Sequence, residues 1–306
     1  MSGHNVRLSV VIPTRNRSAL LTRSIQTLLE QDFSSAEYEI VVVDDGSTDN
    51  TKAVVESFID GREPEVTYVA TDGSGINRAR NMGVDLARAE LIAFVDDDIE
   101  APMTWASAVV AAGDRRPDAG CYGGRILVKP DRPLPRTCGA EMFATRFDAG
   151  PVEREVKKVF GTNLVIRRSA FDHVGRFEES LRYAGDEEEW EHRYTRGGGR
   201  IFYFPEIWVW HRRTHGDVRL STLVKRSYRM GVGQVRFYEL TRQPLHWPNE
   251  AWNLFAWLGH AGLRRCWGGV MHAARSLGRL RGLQIARREA KHRESVAAIA
   301  SPIDSA

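Results

Sequence analysis

The chain has 306 residues, 42% of them hydrophobic and 27% charged, with a net charge of +3. This composition is that of an ordinary soluble globular protein, and the length suffices for one large domain or one domain with an appendage. The net charge is too small to indicate nucleic-acid binding by itself.

Strand-like and helix-like segments alternate over the first hundred residues. Short β-branched runs indicate strands, and apolar residues at helical spacing indicate helices. We predict strands at residues 8–12, 40–43, 66–70 and 91–95, and helices at 20–31, 50–59 and 77–89. This rhythm predicts an α/β fold with a largely parallel sheet, right-handed crossovers and helices on both faces.

The pattern loosens after residue 100. We predict a helix at 103–112, a strand at 125–128, a proline-rich loop at 129–135, further strands at 160–166 and 201–204, and an acid-rich loop and helix at 170–197.

The last part of the chain has a different composition. Residues 221–300 contain fourteen lysines and arginines but four glutamates, with Trp247, Trp252, Trp257 and Trp267 interleaved. We predict a domain at 1–215 and a basic helical extension at 216–306. Three interpretations of the extension stay open: a helical cap on the first domain, a surface for anionic lipid headgroups, or a surface that gathers an anionic acceptor.

The three cysteines, Cys121, Cys138 and Cys266, are far apart and form no Cys-x-x-Cys pair. This usage fits a reducing compartment and argues against a cysteine-based zinc site. No secretory signal is visible, and the apolar stretch at 251–263 is shorter than the ~18 residues that span a bilayer. We therefore expect a cytoplasmic protein, with peripheral contact at the inner face of a membrane left open.

Two acid clusters follow predicted strands. Asp44 and Asp45 end the second strand, and Asp96, Asp97 and Asp98 end the fourth. Ligands of open α/β sheets lie beyond the carboxyl ends of the strands, so these acids should share one anionic crevice. Carboxylates are suited to Mg²⁺ or Mn²⁺, which also bind phosphate oxygens. The simpler alternative is a pair of solvated acidic turns, with Asp49 capping a helix.

The ordered series of motifs resembles a family 2 glycosyltransferase with the Rossmann-like GT-A fold. The motifs lie at residues 10–17, 41–49, 78–83, 96–98, 161–163, 174–179, 185–187 and 208–211. The resemblance covers about two-thirds of the chain and implies an inverting enzyme that uses a nucleotide-sugar donor and Mn²⁺ or Mg²⁺.

The resemblance also implies residue roles. Asp98 would ligate the metal, with His211 as a further ligand from the far side of the site. Asp96 would face the ribose or the metal-bound water, Asp45 or Asp44 would bind the base, and Arg80 would sit near the donor phosphates or buttress the metal loop. The donor-binding residues predicted in this way are Pro13, Thr14, Arg17, Asp44, Asp45, Arg80, Asp96, Asp97 and Asn163.

The acceptor hydroxyl is a poor nucleophile and needs a general base. The family usually has Glu-Asp at this point, with the Asp as base and an Arg six residues later. Arg193 fixes that register and places Glu187 at the base position, but this chain has Asp186–Glu187 in the reverse order. The base is therefore Glu187 or Asp186, with Glu187 favoured.

His211 and His215 would share one face of a helix, as in some zinc sites. No Glu follows His211, and Arg212 and Arg213 lie between the two histidines, so we do not expect a dedicated zinc site.

Processive members of the family carry a Gln-x-x-Arg-Trp motif and transmembrane helices. Residues 234–238 do not match that motif. We expect transfer of a single sugar to a glycan, a lipid-linked intermediate or a small natural product. The alternatives are a catalytically silent scaffold that binds a glycan or nucleotide sugar, and a nucleotidyltransferase.

Overall fold

The computed structural model describes residues 6–61, 63–133 and 145–300, with side chains up to residue 291. The chain divides into two compact units. The larger holds the α/β part up to Asp217, and the smaller holds the chain from Val218 onward together with Tyr183–Gly185.

The larger unit is built on one sheet. Its strands, in chain order, are β1 (Leu8–Thr14), β2 (Tyr38–Asp44), β3 (Glu65–Ala70), β4 (Leu91–Val95), β5 (Ile99–Glu100), β6 (Cys121–Pro130), β7 (Arg154–Val156), β8 (Asn163–Arg167) and β9 (Ile201–Arg213). The spatial order is β3-β2-β1-β4-β8-β6-β9-β5, with β7 paired to β9. The first four strands in this order are parallel, β8 runs antiparallel to both neighbours, and β6 and β9 are parallel. The predicted α/β fold is confirmed, with antiparallel strands in its second half.

Helices cover both faces of the sheet. They are α1 (Ser18–Leu29), α2 (Thr51–Glu56), α3 (Ile76–Leu86), α4 (Trp105–Arg115), α5 (Arg168–Val174) and α6 (Asp186–Arg196), with a short 3₁₀ helix at Ser35–Glu37. Successive residues of β1 face opposite sides: Val10 packs in the core under α1 and α4, while Val11 packs in the core under α3, α5 and α6. Each such buried side chain contributes about 1.5–3 kcal/mol.

Two strands are longer than the sequence pattern predicts. Strand β6 begins four residues earlier than predicted, at Cys121, and β9 continues nine residues past the predicted end, to Arg213. Cys121 to Gly124 of β6 pair with Ile201 to Phe204 of β9, and Arg125 to Pro130 pair with Trp208 to Arg213, so ladder hydrogen bonds extend both strands. His211 therefore lies on a strand and His215 in the turn after it, so the helical spacing considered for a zinc site does not apply.

The smaller unit contains three helices, α7 (Leu220–Leu240), α8 (Trp247–Arg264) and α9 (Trp267–Ala300). Helices α7 and α9 approach closely at glycines: a Cβ on Gly231 would lie 2.1 Å from the carbonyl oxygen of Arg275. Helix α8 is tied to α9 by an ion pair between Glu250 and Arg279, 2.7 Å apart. Among the described residues, none of the helices combines the length and the apolar character needed to cross a bilayer.

Candidate active site

Asp44 ends strand β2, beside β1, and Asp45 directly follows it. The backbone N–H of Asp45 donates to the carbonyl of Thr14 at 2.8 Å, which joins the two strand ends. Asp44 accepts hydrogen bonds from the Tyr68 hydroxyl and from the Ser47 N–H, both at 2.8 Å. Burial and this bond raise the pKa of Tyr68 to about 12. Both Asp44 oxygens are thus engaged within the fold.

Asp45 is also buried, and both of its oxygens have partners within the fold. One oxygen accepts from the Thr71 hydroxyl at 2.9 Å, and the other lies 3.4 Å from a guanidinium nitrogen of Arg15, a half-exposed side chain. Both acids therefore stay candidates for binding a base.

Thr14 and Arg17, at the end of β1, contact the acids that follow β4. The Thr14 hydroxyl donates to Asp97 at 2.8 Å, and the Arg17 guanidinium lies 3.2 Å from Asp97 and 2.8 Å from Asp98. Burial raises the pKa of Asp97 to about 7, although Arg17 opposes that shift. Pro13 lies within the buried strand β1.

Asp96, Asp98 and His211 form a compact group of oxygen and nitrogen donors. One atom from each residue lies within 4.8 Å of the other two. The Thr162 hydroxyl donates to Asp96 at 2.6 Å, and Nε2 of His211 lies 3.1 Å from Oδ1 of Asp98. The structure thus brings His211 next to the Asp-x-Asp pair, and its role as a metal ligand stays a prediction.

The tautomer of His211 follows from its second ring nitrogen. Nδ1 lies 2.9 Å from the carbonyl oxygen of Thr145, which can only accept a hydrogen bond. Nδ1 therefore carries a proton, and in neutral imidazole the lone pair sits on Nε2, towards the carboxylates. Together with the Asp98 Oδ1 atom, which has no well-formed hydrogen bond among the described residues, this donor set fits a divalent cation.

Arg213 is a site residue that the sequence analysis missed. It lies two residues after His211 on β9, so both side chains point to the same face of the strand. Its guanidinium lies 2.5 Å from Asp98 and also contacts the His211 ring. Burial would raise the pKa of Asp98, but His211, Arg213 and Arg17 hold it well below its usual range. The period-two spacing of His211 and Arg213 was the available signal, hidden because the strand was predicted to end at residue 204.

The second carboxylate pair, Asp186 and Glu187, begins helix α6. Arg80, buried on α3, donates to Asp186 at 2.6 Å and lies 3.8 Å from Glu187. Glu187 accepts the backbone N–H of Gly161 at 3.1 Å. A Cβ at position 161 would lie 2.3 Å from the Arg80 guanidinium, so a larger residue there would displace Arg80.

The two carboxyls have different proton affinities. Burial raises the pKa of Glu187 to about 8, helped by the charge of Asp186. Burial acts on Asp186 in the same direction, but Arg80 outweighs it and holds the pKa of Asp186 below its ordinary value. Asp186 is therefore the ionised partner of an arginine, whereas Glu187 keeps its proton to a higher pH.

Two predicted donor residues have other partners in the structure. Arg80 is 2% exposed and its guanidinium is committed to Asp186, which makes it a residue that positions the carboxylate pair. Asn163 is fully buried: its amide accepts from the Trp105 indole N–H at 3.0 Å and donates to the carbonyls of Arg125 and Ile207. The polar atoms of Asn163 are thus used inside the fold, and its donor-binding role stays a prediction.

The segment Gly161–Thr162 joins the two halves of the site. Gly161 holds Glu187 through its N–H, and the next residue holds Asp96 through its hydroxyl. The structure thus brings the Asp-x-Asp pair, His211 and the Asp186–Glu187 pair to one edge of the sheet, as the strand topology predicts.

Solved structures share this architecture. Staphylococcus aureus TarS residues 1–349, solved in complex with UDP-GlcNAc, superposes with a TM-score of 0.55 at 21% identity, over 72% of this chain and 66% of that one. GalNAc-T7, solved with UDP, GalNAc and Mn²⁺, gives a TM-score of 0.58 at 19% identity, over 69% of this chain and 45% of that one. The fold is that of GT-A glycosyltransferases.

Sequence comparison gives the family. The model of glycosyl transferase family 2 matches residues 9–175, more than half of the chain. The GalNAc(5)-diNAcBac-PP-undecaprenol beta-1,3-glucosyltransferase of Campylobacter jejuni is 38% identical over 241 residues, covering 78% of this chain and 75% of that protein. Validoxylamine A glucosyltransferase of Streptomyces hygroscopicus subsp. jinggangensis is 31% identical over 253 residues, covering 73% of this chain. The chain spans 60% of the length of that Streptomyces protein. The chain belongs to glycosyl transferase family 2.

Proposed function

We propose that this protein is a metal-dependent, inverting glycosyltransferase that moves one sugar from a nucleoside diphosphate sugar to an acceptor hydroxyl. The observation that carries the proposal is the pairing of two sites through one short segment. Gly161 binds Glu187 and Thr162 binds Asp96. The candidate base, Glu187, and a proposed donor-binding group, Asp96, are therefore held by adjacent residues.

Asp45, Thr14 and Arg17 are proposed to form the nucleoside end of the donor site. Asp45 keeps an oxygen beside the half-exposed Arg15, and Arg17 presents a positive charge next to Asp97 and Asp98. The solved complexes of TarS with UDP-GlcNAc and of GalNAc-T7 with UDP make uridine diphosphate sugars the first donors to test.

Asp96, Asp98 and His211 are proposed to hold Mn²⁺ or Mg²⁺. A divalent cation at such a site stabilises the negative charge that develops on the departing nucleoside diphosphate. Asp96 is oriented by Thr162 and His211 by the carbonyl of Thr145, so the protein fixes both ligands before a cation arrives.

Glu187 is proposed to act as the general base. It would take the proton of the acceptor hydroxyl on its carboxylate, while Asp186, paired with Arg80, stays ionised and keeps the guanidinium in place. Attack by an activated hydroxyl on the face opposite the leaving group inverts the anomeric centre. Base catalysis of this kind contributes roughly 10²–10⁴-fold to the rate.

For the acceptor we propose a set of chemical classes, without choosing one compound. The Campylobacter relative is named for an undecaprenol-linked glycan and the Streptomyces relative for the small molecule validoxylamine A. We propose transfer of a single sugar to a lipid-linked intermediate, a glycan or a small natural product, in the cytoplasm. A silent scaffold or a nucleotidyltransferase would have no need for the carboxylate pair, Asp186 and Glu187, beside the Asp-x-Asp acids.

The proposal is tested by ligand-dependent thermal stability of the full chain. A ligand that binds the folded state raises its melting temperature, so a panel of nucleotide sugars with Mn²⁺ should identify the donor. We expect Asp98→Ala to remove the Mn²⁺-dependent part of the shift and to abolish transfer. Asp131→Ala, in an exposed loop of the same unit, serves as the control. An Asp98→Ala protein with full Mn²⁺-dependent binding would contradict the metal assignment.

A further inference from the structure

Exposed apolar side chains are concentrated on helix α8 of the smaller unit. Trp252 is 74% exposed, Phe255 70% and Leu263 88%, and Trp247 and Leu258 are also more than half exposed. An exposed cluster of large apolar and aromatic side chains is typical of a surface that binds a protein, a ligand or a membrane.

These side chains lie on one face of α8. Trp252, Phe255 and Leu263 follow helical spacing, and the gaps between them are filled by Gly259 and Gly262, at which an added Cβ would meet nothing within 4 Å. The opposite side of the helix is used within the unit: Glu250 pairs with Arg279, and the Trp257 ring stacks on the His272 ring at 4.2 Å. The apolar face is therefore the side that the rest of the smaller unit leaves open.

The charges along α8 are placed at its ends. No charged residue occurs between Glu250, which is buried, and Arg264. Arg264 and Arg265 are both exposed and directly follow Leu263. From Trp252 to Leu263 the helix is about 18 Å long at 1.5 Å per residue, too short to cross a bilayer but long enough to lie along one.

The partner that fits this face is an anionic lipid surface. Tryptophan and phenylalanine are favoured at the boundary between headgroups and acyl chains, and adjacent arginines bind lipid phosphates. Residues 221–300 carry fourteen basic residues and four glutamates. A second copy of this chain would bring like charge against like charge, whereas an anionic bilayer supplies the opposite charge.

We propose that helix α8 docks this protein on an anionic membrane surface, with Trp252, Phe255 and Leu263 entering the headgroup boundary and Arg264 and Arg265 contacting the lipid phosphates. This docking goes beyond the transfer reaction and does not depend on it. It would hold the enzyme at the surface where a lipid-linked acceptor is found.

The test is sedimentation of the full-length protein with vesicles, in the absence of any donor or metal. We expect the protein to pellet with mixed phosphatidylcholine and phosphatidylglycerol vesicles. Trp252→Ser with Phe255→Ser should weaken this partitioning about tenfold or more, because two large side chains no longer leave water. Both positions are highly exposed, so the melting temperature of the variant should match the wild type.

The matched control removes two exposed apolar side chains from the larger unit, Ile59→Ser with Met103→Ser, and should bind vesicles like the wild type. A protein that stays in the supernatant with every vesicle composition overturns the proposal. So does a protein that forms dimers in solution through Trp252 and Phe255 and ignores vesicles. Because donor binding is measured separately by thermal shift, failure of vesicle binding leaves the proposed transfer reaction standing, and the converse also holds.

Discussion

Two arginine side chains lie next to the single carboxylate of Asp98. Arg17 and Arg213 lie 2.8 and 2.5 Å from it, and the His211 ring lies on its other oxygen. A divalent cation that binds Asp98 and His211 must compete with the Arg213 guanidinium, which contacts both residues. Arg213 should therefore weaken metal binding when no donor diphosphate is present.

This competition predicts the effect of Arg213→Gln. Removing the positive charge while keeping a hydrogen-bond donor should tighten Mn²⁺ binding to the donor-free protein several-fold, because less Coulomb repulsion opposes the cation. Isothermal titration with Mn²⁺ measures this directly. Arg212→Gln is the control, since Arg212 lies on the opposite face of β9 and pairs with Glu100. Unchanged or weaker Mn²⁺ binding in Arg213→Gln would refute the competition.

The carboxylate pair at the start of α6 predicts a particular pH profile. A general base acts in its ionised form, and the pKa of Glu187 is raised to about 8. If Glu187 is the base, transfer should increase as the pH rises and reach half its maximum near pH 8. If Asp186 is the base, the rate should be flat over this range, because the pKa of Asp186 is lowered.

Two substitutions complete this measurement. Glu187→Gln should lower the transfer rate roughly 10²–10⁴-fold and leave the donor-induced thermal shift intact. Asp186→Asn should instead disturb Arg80, its partner at 2.6 Å. A variant with Glu187→Gln that keeps the wild-type rate and pH profile would exclude Glu187 as the base.

At the level of single residues, the structure groups acids that the sequence analysis named, but it gives a named amide other partners. Asp96 and Asp98 were expected near each other because they follow one predicted strand, and the family resemblance added His211. The resemblance also named Asn163, yet its amide is bonded to Trp105 and to two backbone carbonyls inside the core. An amide can satisfy buried backbone groups from neighbouring strands, and a single sequence does not contain that pairing.

At the level of elements, the segment before β8 links helix α6 to the site. Glu191, one turn after Glu187, accepts the Val159 N–H at 2.9 Å. Its second oxygen has no hydrogen-bond partner among the described residues. Burial raises the pKa of Glu191 well above its usual range. The Glu191 carboxyl on α6 thus holds the segment that leads to Gly161 and Thr162 in the site.

This raised pKa predicts how stability depends on pH. The unfolded chain releases the Glu191 proton near pH ~4.3, whereas the folded protein keeps it to higher pH. Between these values the folded state binds more protons, so this group's contribution to the free energy of unfolding falls as the pH rises. Glu191→Gln removes that contribution, and the variant should gain stability relative to the wild type on going from pH ~4 to pH ~8.

The gain is about 1.4 kcal/mol for each pH unit that separates the two pKa values. Urea denaturation at several pH values measures it. Glu188→Gln is the control, since the half-exposed Glu188 side chain pairs with Lys158 at 3.3 Å. A difference between Glu191→Gln and wild type that stays constant with pH would show that Glu191 is ionised in the folded protein.

The elements also show where sequence patterns end. Strands β1, β2 and β4 were predicted within two residues of their bounds, because buried β-branched runs specify them strongly. The second half of β9 was missed. It carries alternating tryptophans, a histidine and arginines, and it is a strand because β6 supplies its ladder bonds. Pairing between distant segments is the information that local periodicity lacks.

At the level of the whole molecule, the net charge of +3 hides an uneven distribution. The basic residues are in excess from residue 221 to 300, so the part before them is acidic overall. Charges act on a membrane only within a Debye length, about 10 Å at 0.1 M salt. An anionic surface therefore interacts with the charges of the docked helix and its flanking residues. The net charge of the whole chain does not describe this local charge.

This local effect predicts the salt dependence of vesicle binding. Binding to vesicles that contain phosphatidylglycerol should weaken as the salt concentration rises, because the Debye length falls to about 3 Å at 1 M, while the apolar contribution of Trp252 and Phe255 persists. Arg264→Gln with Arg265→Gln should reduce both the affinity and its salt dependence. Arg115→Gln with Arg116→Gln lowers the net charge equally but lies at the end of α4 in the larger unit, and it should bind like the wild type. If both double variants lose affinity to the same extent, net charge governs the attraction, and the assignment of Arg264 and Arg265 to lipid phosphates is wrong.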